Sequence, residues 1–252
     1  MLNIDLSGRT AIVTASAKRG GRAIALTLSQ AGAAVVINAR SDAAAADSVV
    51  AEIRALGGRA EACVADVSDP AAVERLIDTA VSAFGGLDIL VNNAAIRPAE
   101  SFADMTLEKW RAVTSVILDG SFLCAHAAAP HLKRSGHGRI INIAGISSFL
   151  VFSGRPHVVA AKAGLIGLSR ALAIELAPHV TVNCVAPGKI EDETDSAEAT
   201  ATRSKRLVAN SIPLGRSGAT KDVASIVAYL CSDGMSYITG QTLHVNGGAY
   251  LT

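Results

Sequence analysis

The chain is 252 residues long and half hydrophobic, with 23 Lys plus Arg against 22 Asp plus Glu and a net charge of +1. Without a concentrated basic cluster, a nucleic-acid partner is not expected. No uninterrupted apolar run nears the roughly 20 residues of a membrane span, and no basic flank precedes an apolar stretch at the start, so the expectation is a cytoplasmic protein with no membrane partner.

Arg9 to Thr14 is a short apolar run rich in β-branched residues, and Ala15 to Gly21 is a small, polar turn. Ala23, Ile24, Leu26 and Leu28 follow at helical spacing, and Ala34 to Asn38 is a second apolar run. Strand, turn, helix and strand in this order make a βαβ unit, whose crossover forces the strands to be parallel. The unit sets a helix N-terminus, with its unbonded N–H groups, beside a strand's carboxyl end, where a phosphate can bind.

The alternation continues with a helix over 43–56, a strand over 59–65, a helix opened by Pro70 and closed at Gly85-Gly86, and a strand over 87–91. Thr106 has the position of an N-cap for a long helical stretch that should break near Asp119-Gly120 and reach Leu132. A strand over 139–144 leads through an irregular span to an apolar helix over 157–177, expected to be buried in the core or against another subunit. A strand over 181–185, a charged run from Lys189 to Arg206 expected to be a solvated excursion, a helix over 219–231 and a strand over 242–245 complete the chain. The pattern predicts one α/β domain over 1–252, a Rossmann-type doubly wound sheet of about seven parallel strands with helices on both faces. Cys63, Cys124, Cys184 and Cys231 are widely spaced, which predicts reduced thiols and no metal site.

Six segments together resemble the short-chain dehydrogenase/reductase family, particularly its 3-oxoacyl-acyl-carrier-protein reductase-like members: Asp66-Val67, Asn92-Asn93-Ala94-Ala95, Gly138 to Asn142, Lys162-Ala163-Gly164-Leu165, Val182 to Gly188 and Ile238 to Gln241. The resemblance spans essentially the whole chain. It implies a seven-stranded parallel sheet, a homotetramer and nicotinamide-dependent carbonyl or alcohol interconversion. It further implies that Lys162 holds the nicotinamide ribose and lowers the pKa of a tyrosine four residues earlier. That position is Val158; the position of the carbonyl-polarising serine is Gly145, and that of the asparagine supporting a relay water is Ile117. The remaining candidates for proton transfer are Lys162, His157, Ser147 and Ser148, the two serines being more often loop hydroxyls that satisfy local backbone groups, with Tyr250 from a neighbouring subunit as a further donor. Beside these, the residue pattern favours a surface or capping role for His157, because one step along a helix turns a side chain by about 100°.

For the cofactor, the resemblance implies contacts from Ser16, Lys18, Arg19, Gly21, Arg40, Asp66, Val67, Asn92, Ala94, Lys162, Pro187 and Gly188. Ala39 and Arg40 stand where NAD-preferring members carry a ribose-binding acid, so NADP(H) is expected over NAD(H). Ala15 and Arg19 replace two loop glycines, which puts binding itself in question: a left-handed backbone costs an L-residue roughly 1–2 kcal/mol. Asp192, with Thr194 nearby, replaces the family threonine at the carboxamide. Three functions follow as expectations: an NADP(H)-linked oxidoreductase with a nonstandard proton donor; a catalytically silent scaffold, either a cofactor sensor or a subunit paired with an active paralogue; and, ranked last, non-redox dehydration or lyase chemistry using His157 and the carboxylates of Glu191 to Asp195.

Overall fold

The computed structural model describes residues 4–151, 153–191 and 212–251. The expected alternation is present: β1 (Thr10–Val13), α1 (Arg19–Gln30), β2 (Ala34–Ala39), α2 (Ala43–Ala55), β3 (Ala60–Val64), α3 (Pro70–Phe84), β4 (Ile89–Asn92), α4 (Leu107–Thr114), α5 (Gly120–Ser135), β5 (Gly138–Ile143), α6 (Pro156–Glu175) and β6 (Val180–Pro187). After these come the short β7 (Ile190–Glu191) and β8 (Gly218–Ala219), then α7 (Thr220–Cys231) and β9 (Thr242–Val245). Seven parallel strands lie in the order β3-β2-β1-β4-β5-β6-β9. Chain order reverses between β1 and β4, and such a switch point opens a crevice at the strands' carboxyl ends. Every residue of β1, β2, β4 and β5 is buried, as a sheet covered by helices on both faces requires.

Local chemistry sets the element ends. Asp42 and Asp69 accept from Ala45 N and Ala71 N at the starts of α2 and α3, and Thr106 caps α4 through Lys109 N. Pro70 opens α3, and Gly85 ends it with φ +86°.

The helix does not break at Asp119-Gly120. A π turn over Ser115–Asp119 joins α4 to α5, and Gly120 is helical. A Cβ on Gly120 would lie 2.8 Å from Val67 Cγ2, so this glycine lets α5 approach the end of β3 rather than stopping a helix. By length and composition α6 could cross a membrane. Here it packs on β6 with one side buried, while Ile174 stays exposed. The charged run is structured at its start, where Ile190–Glu191 pairs with Gly218–Ala219; residues 192–211, including Asp192 and Thr194, lie outside the described residues. All four cysteines are free thiols, three of them buried.

Candidate functional site

The parallel strands carry their carboxyl ends, and the loops that follow, to one edge of the sheet. The turn between β1 and α1 keeps two left-handed residues, Ala15 at φ +50° and Arg19 at φ +51°. Each spends roughly 1–2 kcal/mol that glycine would not. Distant groups hold the shape. Ala15 N donates to Asn38 Oδ1 (2.9 Å), and Asn93 Nδ2 donates to Thr14 O and Ala15 O (3.0 and 3.2 Å). Thr14 Oγ1 accepts from Asn93 N and Ala94 N (2.8 and 2.9 Å), locking β1 to the exit of β4. Gly21 closes the turn: a Cβ there would stand 2.3 Å from Ala15 O and 2.6 Å from Asn93 Nδ2.

Two residues expected at the cofactor are turned inward. Ser16 is fully buried, with its hydroxyl donating to Val13 O (2.6 Å) and accepting from Asn38 N (2.9 Å), so it ties β1 to β2 and is closed to a ligand. Asn92 is 4% exposed and donates to Asn142 Oδ1 (2.8 Å). From there a buried polar chain runs through Ser169 to Cys184, none of which the sequence indicated. The partners come from separate strands and a helix, and sequence spacing does not reveal such pairings.

Other predicted residues do reach the cleft edge. Lys18 is exposed and pairs with Asp42 (2.7 Å); Arg40, also exposed, acts on Asp66, whose carboxyl is held below its usual range chiefly by Ser68 and secondarily by Arg40. Arg19 opens α1. Val67 packs on Gly120, and Ala94 is fixed by Thr14. Pro187 ends β6, and Gly188 donates to Val245 O (2.9 Å). A Cβ on Gly188 would meet Asn246 Cα at 2.8 Å, so this glycine sets the packing of β6 on β9.

On the β5–α6 side, Val158 and Ile117 are 2% and 0% exposed and pack into one apolar cluster with Val113, Ala161 and Leu165. Ala95 and Ile96, from the loop after β4, lie against the same cluster. Gly145 is extended, and a Cβ there would meet only Ser147 Oγ at 3.5 Å. Lys162, one turn after Val158, is 4% exposed and donates to Ile143 O at the end of β5. Burial, and then Arg97, pulls its ammonium down to about 7.

His157 corrects the expectation of a surface or capping residue. It is fully buried, and neither ring nitrogen has a hydrogen-bond partner among the described residues. The segment 146–148 packs against α6, whose first turn buries His157 and Val158. Tyr250 packs within its own chain on Phe149 and His244, with ring centroids 5.0 and 5.2 Å apart.

With this geometry in view, comparison with known proteins is decisive about lineage. The family described as enoyl-(acyl carrier protein) reductase matches residues 15–250. 3-Oxoacyl-[acyl-carrier-protein] reductase FabG of Staphylococcus aureus is 41% identical over 96% of this chain and 98% of its own length. The chain belongs to the short-chain dehydrogenase/reductase family. A second relative, (2S)-[(R)-hydroxy(phenyl)methyl]succinyl-CoA dehydrogenase subunit BbsD of Thauera aromatica, is 38% identical over 98% of this chain and 99% of its own. Among solved structures, a dehydrogenase/reductase from Sinorhizobium meliloti superposes with a TM-score of 0.90 at 37% identity, covering 99% of this chain and 98% of the other. Among the described residues, the seven-stranded parallel sheet and its flanking helices are those of the short-chain dehydrogenase/reductase fold.

The residues of the first turn fit the nicotinamide dinucleotide that the family implies. The close approach at Gly21 brings the start of α1 against the end of β1. Lys18 supplies no side-chain cap, and the first turn of α1 has no acid, so the positive end of the helix is presented to an anion.

Proposed function

We propose that this chain is an NADP(H)-linked oxidoreductase that interconverts a carbonyl and an alcohol, with Lys162 handling the proton in place of the missing tyrosine. The observation that carries this reading is the buried Lys162 ammonium, held at the end of β5 one turn from Val158 and titrating at about 7. A group with that pKa gives a proton to a developing alkoxide in one direction and takes it back in the other. When bound, the nicotinamide supplies or accepts the hydride.

The chain's own residues do the rest. Arg19 and the start of α1 hold the pyrophosphate, while Lys18 and Arg40 meet a 2′-phosphate. Asp66, Val67, Ala94, Pro187 and Gly188 line the remainder of the cofactor's path. The cluster around Val158 and Ile117 keeps water from the reacting carbon. His157, buried and lacking partners, is the second candidate proton carrier. In this reading the chain is a single cytoplasmic domain that assembles as a homotetramer.

The test is NADPH oxidation over a broad carbonyl panel. Turnover should fall about 100-fold in Lys162→Ala. The reduction rate should decline as pH rises through about 7, because the protonated ammonium is the donor. Inactivity against every carbonyl, or indifference to the substitution, refutes the reading.

A second reading is favoured by the apolar packing of Ile117 on Val158, which leaves no polar relay at those two positions. On it, the chain is a silent cofactor sensor or one subunit of a mixed tetramer with an active paralogue; the relative BbsD is itself named as a subunit. Native mass spectrometry of the complex purified from its host decides this, and a homotetramer that turns over alone excludes it.

A further inference from the structure

The apolar side chains of α6 do not by themselves decide which way the helix turns. Alanine, valine, leucine and isoleucine lie on nearly every side of it, and Ile174 is left exposed while Leu165 is buried. Rotating such a helix exchanges one apolar face for another at little cost. A buried polar side chain is more exacting, since a hydrogen bond weakens steeply with angle and a buried group left unpaired is costly.

Two such side chains tie α6 to the sheet, and they lie on one face. Lys162 donates to Ile143 O, and Ser169 Oγ accepts from Asn142 Nδ2 (2.7 Å), so the helix meets consecutive residues of β5. Seven residues apart, the two differ by only about 20° around the helix axis. Their bonds have a fixed direction. Ser169 gives its one proton to Leu165 O (2.7 Å), so it accepts from Asn142 Nδ2 and from the Cys184 thiol (3.0 Å). Burial pushes that thiol up, which keeps its proton in place. Asn142 is oriented in turn: its Oδ1 takes Asn92 Nδ2 (2.8 Å), which leaves its own Nδ2 for α6. Asn92, Asn142, Ser169 and Cys184 are each 4% exposed or less, so water cannot stand in for a lost partner.

We propose that Ser169 and Asn142 are positioning residues, whose hydrogen bond fixes the rotation of α6 on β5 and so holds the Lys162 ammonium on Ile143 O, away from water. Its consequence for catalysis rests on Lys162 being the proton carrier, and titrating that ammonium tests the positioning separately from turnover. Without the Ser169 hydroxyl the helix keeps its apolar packing but loses its rotational stop, and water reaches the ammonium.

The experiment is carbon-13 NMR of the full chain labelled at lysine Cε, with the Lys162 signal assigned by its loss in Lys162→Met. Wild type should titrate at about 7. In Ser169→Ala the midpoint should rise by about one pH unit or more, toward the ordinary lysine value, as water enters. Asn142→Ala breaks the same bond from the strand and should give the same rise, whereas Ser169→Thr keeps the hydroxyl and should hold the midpoint near wild type. Ile53→Val, a change in the core on α2, controls for loss of stability and should leave the midpoint in place. An unmoved midpoint in either alanine variant, or an equal rise in Ser169→Thr or Ile53→Val, overturns the proposal. So does failure of both alanine variants to fold, since a positioning bond leaves the fold standing. A raised midpoint in a chain that reduces no carbonyl leaves the proposal standing and defeats the reductase reading. Carbonyl reduction lost in Lys162→Ala but undiminished in Ser169→Ala, with the midpoint unmoved, does the reverse.

Discussion

The β1–α1 turn and the β5–α6 cleft both carry residues other than those the family resemblance leads one to expect, but they are held in different ways. At the turn Ala15 and Arg19 both sit in the left-handed region. Ala15 holds the left-handed angle that glycine would take while Asn38 and Asn93 bind its backbone N–H and carbonyl, and Arg19 takes the same region where α1 begins. At the cleft the backbone is equally ordered, with a π turn through Ile117 and an extended Gly145, and Ile117 and Val158 are packed into one apolar cluster. Many distributed hydrogen bonds can hold a strained conformation. A proton donor has no such substitute unless another titratable group stands close by, and in the proposed reading that group is Lys162.

The largest effect should come from rebuilding the cleft. Gly145→Ser has room, since its Cβ meets only Ser147 Oγ at 3.5 Å, whereas Val158→Tyr enters a site 2% exposed and costs about 1–3 kcal/mol in stability. With Ile117→Asn added, the triple variant should gain about 10²–10⁴-fold in NADPH-dependent carbonyl reduction, measured as kcat/KM against wild type. An unchanged rate would mean that the difference between the two regions is not one of side-chain chemistry.

Lys162 can also be read through stability. Its folded pKa, about 7, lies below its ordinary 10.5, so the unfolded chain binds more protons between those values. Stability contributed by this group is therefore lowest below pH 7 and rises toward pH 10. Arg97 and Cys184 are the charged and titratable groups that act on it. Lys162→Met should flatten that rise in urea titrations across the range and stabilise the protein most at pH 6. A rise of unchanged slope would show that the ammonium is not buried as described.

The turn should respond more modestly. Ala15→Gly and Arg19→Gly each remove a left-handed Cβ worth roughly 1–2 kcal/mol, offset by about 0.5–1 kcal/mol of added chain entropy. Each should raise stability by up to about 1 kcal/mol, or roughly 2–4 °C in Tm. Destabilisation would mean that the Asn38 and Asn93 network had already relieved the strain.

Much of this was legible from sequence, and the exceptions share a cause. Strand and helix order followed from apolar periodicity, and the family from motifs such as Asn92-Asn93-Ala94-Ala95. The vacancies at Val158, Gly145 and Ile117 could be counted along the chain, but not that Val158 and Ile117 pack together, because that contact joins α6 to the π turn. Ser16 and Asn92 seemed ligand-facing because nothing local reveals that Asn38 engages the Ser16 hydroxyl and that Asn142 accepts from Asn92 Nδ2. Gly120 suggested a helix break until Val67 was found against it, and His157 looked exposed because its spacing shows nothing of what packs over the start of α6. Each miss concerns a partner distant in sequence.

The smallest effect concerns cofactor choice at the turn. Lys18 is paired with Asp42 at 2.7 Å, and both side chains are largely exposed, so solvent screens the pair and a 2′-phosphate can displace the carboxylate. Asp42 also caps α2 through Ala45 N, which makes alanine a poor probe, because it would remove cap and charge together. Asparagine caps a helix about as well as aspartate, so Asp42→Asn isolates the charge. The variant should bind NADPH roughly two- to fivefold more tightly while NADH binding stays constant, as read by fluorescence titration at low salt. Equal gains for both nucleotides would place the effect in the general field of the turn. No gain for either would mean that Lys18 does not reach the 2′-phosphate, leaving Arg40 to carry that preference alone.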